Sequence, residues 1–186
     1  EDIASTEMID IKKIYSIDAD YIFYPAQLWP HKNHIYILDA LKILNDKKVN
    51  LNLVCCGSDK GNKKHIIEYA KKIGVTKNLH HLGYVPSGHI LSLYKSSLAL
   101  VMPTYFGPTN IPPIEALDLG VPVIYSKLES FDEQLLDTAL YCNLNDPSDL
   151  AAKVETLIKD NIFRKNLIKK QLKLSSKLKK INYLSD

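Results

Sequence analysis

Short apolar runs alternate with stretches of helical period along this chain, and that alternation limits the fold more than any other feature. YIFYPA (21–26), LNLVCCG (51–57), NLHHLGYV (78–85), LALVMPT (98–104), VPVIYS (121–126) and ALYCN (139–143) are apolar or β-prone but short, so they read as strands. Between them, HIYILDALKILND (34–46), KKHIIEYAKKIG (63–74), SGHILSLYKSS (87–97) and IPPIEALDLG (111–120) read as helices. In the first of these, apolar residues recur at three- and four-residue spacings and share one face. FDEQLLD (131–137) reads as a helical turn. Gly74 closes one helix as a C-cap and another ends at Gly120. Asp146 followed by Pro147 opens the next, and a last helix is expected from about Ile162 to Lys180. This rhythm predicts an α/β domain: a Rossmann-like parallel sheet with helices on both faces. In such sheets ligands bind beyond the carboxyl ends of the strands. The loops to inspect therefore follow Ala26, Cys56, Leu82, Met102 and Ile124.

At 186 residues the chain can bury a core as one domain, or as one large unit and a very small one. A net charge of +3 is too mild to point to nucleic acid, and no apolar run is long enough to span a bilayer. The opening EDIASTEMIDIKKIYSIDAD has no basic stretch followed by an apolar one, so no secretory leader is expected. Cys55, Cys56 and Cys142 are an odd number with an adjacent pair. That argues against a disulfide framework, fits a reducing cytosol, and makes them core residues.

Two segments carry the chemistry. In YFGPTNIPPIEALDLGVPVI (105–124), adjacent prolines stand at the start of a helix. The first N–H groups of a helix have no partner inside it, so proline is tolerated there and sets φ for entry. Asn110 is the expected cap, with Ile111, Pro112 and Pro113 in the first turn. The backbone N–H groups of Thr109, Asn110 and Ile111 are then the expected anion donors, after a Gly-containing turn at Gly107 and Pro108. Glu115, one turn further on, either complements the helix dipole or accepts sugar hydroxyls, as acidic residues do on ribose in dinucleotide folds. The second segment, YPAQLWPHKNH (24–34), directly follows the first strand. Lys32 stands at a helix start, where a cation opposes the dipole unless an anion is bound there too. His31 and His34 are three apart, but no third ligand is nearby, so no metal site is expected.

With YPAQLWPHKNH, LVCCGSDKG, LGYVP, MPTYFGPTNIPPIEALDLGVPVI and ALYCNLNDPSDLA in this order, the chain resembles the retaining glycosyltransferases of family four. The likeness runs from about Tyr21 to Ile158 and is to the C-terminal, nucleotide-sugar-binding half of a GT-B fold. It implies a domain over 21–160, a lead-in over 1–20 from an absent N-terminal domain, and a basic C-terminal helix or tail over 161–186. The resemblance implies roles position by position. Lys32 would contact phosphate. The Thr109–Ile111 turn would hold the diphosphate. Glu115 would bind the ribose hydroxyls, and Lys32 and Glu115 would be the catalytic pair. Tyr84, Val85 and Pro86 would read the base through backbone groups. Gly57 would lie beside the donor.

Two positions depart from the family pattern. Gln27 stands where an arginine is usual, and Gly107 stands where the first glutamate of a pair is usual. What the resemblance implies is transfer of a sugar from GDP-mannose, or another GDP- or UDP-sugar, to a glycan or lipid-linked acceptor with retention. That reaction uses no cofactor and requires no metal; Lys32 and the helix start would stabilise the departing diphosphate. The acceptor half is expected on the absent domain, so these residues alone would bind donor and transfer little. The alternative is a non-catalytic nucleotide-binding or assembly module, for which Gly107 is the best argument. A dehydrogenase is disfavoured because no G-x-G-x-x-G follows the first strand. The expected location is cytoplasmic. The basic tail FRKNLIKKQLKLSSKLKKINYLSD is read either as a solvated face packed by Leu167, Ile168, Leu172 and Leu174, or as a peripheral contact with the inner face of an anionic membrane.

Overall fold

A computed structural model describes residues 8–107, 111–127 and 135–182. Strands β1 (Tyr21–Pro25), β2 (Asn52–Cys56), β3 (Leu79–His81), β4 (Ala99–Met102), β5 (Val123–Ser126) and β6 (Leu140–Cys142) form a sheet in the order β3-β2-β1-β4-β5-β6. Every pairing is parallel. The helices are α1 (Ile11–Ile14), α2 (His34–Asp46), α3 (Lys63–Ile73), α4 (Ser87–Lys95), α5 (Ile111–Asp118), α6 (Pro147–Lys159) and α7 (Asn161–Asn182), and they cover both faces of the sheet. The expected α/β architecture is the observed one.

The local reasons are those of the sequence. The central strands carry apolar side chains on both faces because both are covered, so Tyr21, Ile22, Phe23 and Tyr24 are all buried. In α2 the buried residues include Ile37, Leu38, Leu41 and Leu44, the three- and four-residue stripe of the sequence. Gly74 takes φ +77° after α3, and the Asp146 side chain accepts from Ser148 N–H with Pro147 opening α6. Cys55, Cys56 and Cys142 are buried free thiols, and burial pushes their pKa values up to about 12, 11 and 11.

Two elements differ from expectation. The third strand is only Leu79–His81; Leu82 N–H still bonds Cys55 O, and then Gly83 at φ +67° turns the chain away. The polar lead-in contains a helical turn, α1, capped by Asp10, and buries Ile11 and Ile17 against the domain. Its neighbour Ile9 donates its N–H to Ser92 Oγ on α4, at 3.1 Å. Of FDEQLLD, residues 131–134 lie outside the described residues; Leu136–Thr138 is a 3-10 turn.

Helix α7 packs on α5 and α6 through Leu167, Gln171 and Ser175, with Leu174 and Leu178 partly buried. Ile168 and Leu172 lie over Gly120, where an added Cβ would meet Ile168 Cγ2 at 3.3 Å. Gly120 at φ +65° thus ends α5 and leaves room for α7. Among the described residues no helix is long and apolar enough to cross a membrane.

Candidate functional site

The strand order reverses direction between β1 and β4, the position at which open α/β sheets bind ligands. Two hollows open there, of about 440 and 400 Å³, and they share Pro25, Ala26 and Gln27 at the end of β1. The first reaches over β2 and the β3 loop, past Gly57, Ser58, Tyr84, Val85 and Ile90. The second reaches toward β4 and α5, past Trp29, Lys32, Phe106, Gly107 and Pro112.

Hydrogen bonds fix the loop of the first segment. Its backbone forms a 3-10 turn, Pro30–Lys32, and Tyr24 O–H donates to Lys32 O at 2.9 Å from inside the core. Asn33 then takes φ 56° before α2 begins. Trp29 Nε1 donates to Gln27 Oε1 at 2.9 Å, which leaves the Gln27 amide NH2 as a neutral donor where a cation would be usual in the resembling family. The β4 loop is latched to the same turn: Thr104 O–H donates to Phe106 O at 2.7 Å and to His31 O at 3.2 Å, and Tyr105 N–H to His31 O at 2.9 Å. Ser126 O–H holds Thr104 O from β5 at 2.6 Å.

Gly57 joins three loops. Its N–H donates to Gly83 O at 2.8 Å, and its carbonyl lies 2.9 Å from His81 Nε2. At φ +138°, a Cβ on it would stand 2.7 Å from Ala26 O and 2.8 Å from Gln27 N. Only glycine lets the β1 and β2 loops approach this closely.

Charge is unevenly placed in the second hollow. Lys32 is its one ionised lining residue among the described residues, and burial lowers its pKa. The neighbouring His31 is also held below its ordinary pKa, by burial and then by Lys32, which favours its neutral form. Among the described residues the lining is therefore electropositive, with no carboxylate beside Lys32. His31 stacks on Phe106 at 4.3 Å and on Trp29 at 6.2 Å, and Lys60 Nζ lies 5.6 Å from the Trp29 ring.

Glu115 is on the second turn of α5 and lines neither hollow. Its Oε2 accepts from Tyr94 O–H at 2.7 Å, which raises the Tyr94 pKa after the larger effect of burial. Tyr94 is one turn beyond Ile90, which lines the first hollow, so the bond ties α5 to the helix that borders that hollow. Tyr84, Val85, Gln27, Lys32, Gly57 and Gly107 are thus brought together around the two hollows. Pro86 caps α4 and Ile111 opens α5; neither lines a hollow. Pro108, Thr109 and Asn110 lie outside the described residues. Sequence reasoning missed Tyr94, Thr104 and the Trp29–His31–Phe106 stack. Only the stack left a signal, in aromatic residues on two loops at the ligand edge.

His31 and His34, three apart in sequence, lie in two different environments. His34 is fully buried beneath the first segment, its ring 4.9 Å from that of Tyr24, and both its nitrogens lack partners among the described residues. Burial first, then His81 and Lys32, lower its pKa to about 4. The unfolded chain then binds more protons between the ordinary value of about 6.5 and 4, so stability falls as pH drops through that window. The loss attributable to His34 is about 3 kcal/mol. Urea unfolding at pH 7 and pH 4 should show His34→Leu losing correspondingly less stability on acidification than wild type; equal losses would place the ring in contact with water.

Comparison with known proteins places this geometry. The chain is 30% identical over 140 residues to the O-antigen chain mannosyltransferase RfbU of Salmonella typhimurium, covering 74% of this chain and 38% of that protein. It is 26% identical over 146 residues to O-antigen chain mannosyltransferase B of Escherichia coli, covering 77% of this chain and 38% of that one. The chain therefore spans under half the length of these curated relatives. Among solved structures, Anabaena HepE in complex with UDP and glucose superimposes with a TM-score of 0.80 at 16% identity, over 90% of this chain and 46% of that one. The C-terminal domain of the group 1 glycosyl transferase LpcC from Francisella tularensis does so with 0.74 at 19% identity, over 85% of each chain. At those identities the likeness is one of fold, that of one half of a GT-B enzyme. The family described as Glycosyl transferases group 1 matches residues 8–174, and the chain belongs to that family.

Proposed function

We propose that the chain is the donor-binding half of a retaining glycosyltransferase of family four that takes GDP-mannose or another GDP- or UDP-sugar. The sugar passes to a glycan or glycolipid acceptor. The observation that carries this reading is the pair of hollows meeting at Pro25–Gln27: among the described residues, the first is lined by no ionised group and the second by Lys32 as its one charge. A nucleoside fits the first, against the backbone of Gly83–Val85, and a diphosphate fits the second. As the sugar–phosphate bond breaks, negative charge grows on the departing diphosphate, and a cation held in place beforehand stabilises it. Lys32 is that cation, and the reading requires no metal. Mannose is favoured by the names of the two O-antigen relatives. The acceptor belongs to a further domain of the whole protein, in keeping with the 38% of each relative that this chain spans.

Calorimetry with GDP, UDP, ADP and CMP tests the base, and comparison of GDP with GDP-mannose tests the sugar. A clear preference for ADP would overturn the choice of base. Equal affinity for all free nucleotides and all nucleotide sugars would favour a binding module over a transferase. In the same titrations, Glu115→Gln is expected to weaken nucleotide binding roughly tenfold if its carboxylate accepts the ribose hydroxyls. The dideoxy nucleotide should then bind wild type and variant alike, because both changes delete one interaction. Additive losses would leave Glu115 as a partner of Tyr94 alone.

A further inference from the structure

At the opposite end of the sheet from the donor hollows lies a third hollow of about 390 Å³. It is bounded by the end of α4, the turn between α5 and β5, and the first turns of α7. Lys95, Arg164 and Lys165 line it, and among the described residues no carboxylate does. The nearest acids in sequence are engaged elsewhere. Asp160 accepts Phe163 N–H at the start of α7, and Asp118 accepts from Ser175 and pairs with Lys179 at 3.3 Å. The Arg164 guanidinium bonds the neutral Asn161 Oδ1 at 3.4 Å, which leaves the Asn161 NH2 as a further donor into the same space. Helix α7 adds to the field, since over Asn161–Asn182 it holds Lys and Arg but neither Asp nor Glu.

Three cations converging on one concavity repel one another unless an anion joins them. Exposed single lysines need no such partner; a hollow with two flexible ammonium groups, one guanidinium and one amide does have the donor set of a phosphate site. An exposed apolar side chain is next in sequence to this lining: Ile162, 76% exposed, follows Asn161 on the first turn of α7. We propose that this hollow binds a phosphoryl anion, at a site separate from the donor hollows. The strands β4 and β5 stand between the two, four residues of strand or roughly 13 Å. This inference does not depend on the donor reading. A free phosphate and the headgroup of an anionic phospholipid share the recognised chemistry, and the two differ in whether Ile162 is used.

The test uses backbone amide NMR of the whole chain, titrated with inorganic phosphate and, separately, with vesicles of phosphatidylglycerol in phosphatidylcholine or phosphatidylcholine alone. Expected are shifts at Ser97, Gly120 and Asn161 that saturate with phosphate, apart from any at Gly57 and Gly107 in the donor hollows. Lys95→Gln/Lys165→Gln should weaken this binding at least tenfold, whereas Lys173→Gln/Lys177→Gln, the same charge change further along α7, should leave it intact. All four lysines are exposed, so neither variant threatens the fold. A headgroup source shows as binding to phosphatidylglycerol vesicles that is lost in Lys95→Gln/Lys165→Gln and weakened in Ile162→Asn. A soluble source shows as phosphate binding with no vesicle binding. Equal losses in the two lysine pairs, or no shift at Gly120 with either probe, would overturn the proposal.

Discussion

Gly57→Ala is expected to be the most damaging single-methyl change in this domain. The added Cβ meets backbone, Ala26 O at 2.7 Å and Gln27 N at 2.8 Å, so no side-chain rotation relieves it. The φ of +138° adds strain that alanine cannot escape. Backbone strain of about 1–3 kcal/mol and overpacking of about 1–3 kcal/mol together predict a Tm lower by on the order of 10 °C. Nucleotide affinity should fall as well, because the displaced Ala26 and Gln27 line both hollows. Gly88→Ala provides the contrast. Gly88 is inside α4 with nothing within 4 Å of its Cβ, so alanine there should stabilise by up to about 1 kcal/mol through helix propensity. Thermal unfolding of the two variants beside wild type decides the matter. A Gly57→Ala protein that melts with wild type would mean that the three loops are not held together in solution.

Lys32→Ala is expected to separate stability from binding. Burial disfavours the Lys32 charge, as its lowered pKa records, and no carboxylate of the described residues offsets it in its hollow. Removing it should leave the protein as stable as before or slightly more so. A charge-assisted contact with phosphate is worth about 1.5–3 kcal/mol, so GDP should bind at least about tenfold more weakly. Guanosine, which has no phosphate, should bind wild type and variant equally. Calorimetry with both ligands reads the difference. Unchanged GDP affinity would remove Lys32 from the donor site, and equal losses for GDP and guanosine would point to a distorted loop.

Much of this architecture is legible in the chain because its signals are local. A run such as LNLVCC, apolar along its length, can only be a strand covered on both faces, and HIYILDALKILND cannot place its leucines and isoleucines together except as a helix. Gly74 and the Asp146–Pro147 pair announce helix ends by the same local logic. The lead-in is harder to read, since Ile11 and Ile17 are its buried apolar residues and its partners Ser92 and His89 are far away in sequence. The end of the third strand is not legible, because nothing in LHHLGYV says that Gly83 takes a positive φ. In the candidate site, local pattern singles out Lys32 through its place at a helix start, whereas Gln27 and Gly57 are singled out by the family resemblance. Tyr94 could not be paired with Glu115 by any local rule, because α4 and α5 meet only after β4 has joined the sheet. The stack of Trp29, His31 and Phe106 likewise forms between loops from two different strands.

The strand order also bears on synthesis. The chain makes β1 first, and β2 and β3 then add on one side of it, each to its predecessor in sequence. The other edge of β1 waits for β4, which arrives only after α4 has crossed back over the sheet. Until then a nascent chain presents Tyr21–Tyr24, apolar on both faces, as an unpaired edge. Open apolar edges of this kind template pairing with other chains. Slow elongation through residues 57–98 would prolong that exposure, so a chaperone's window on this domain closes when Ala99 pairs with Ile22.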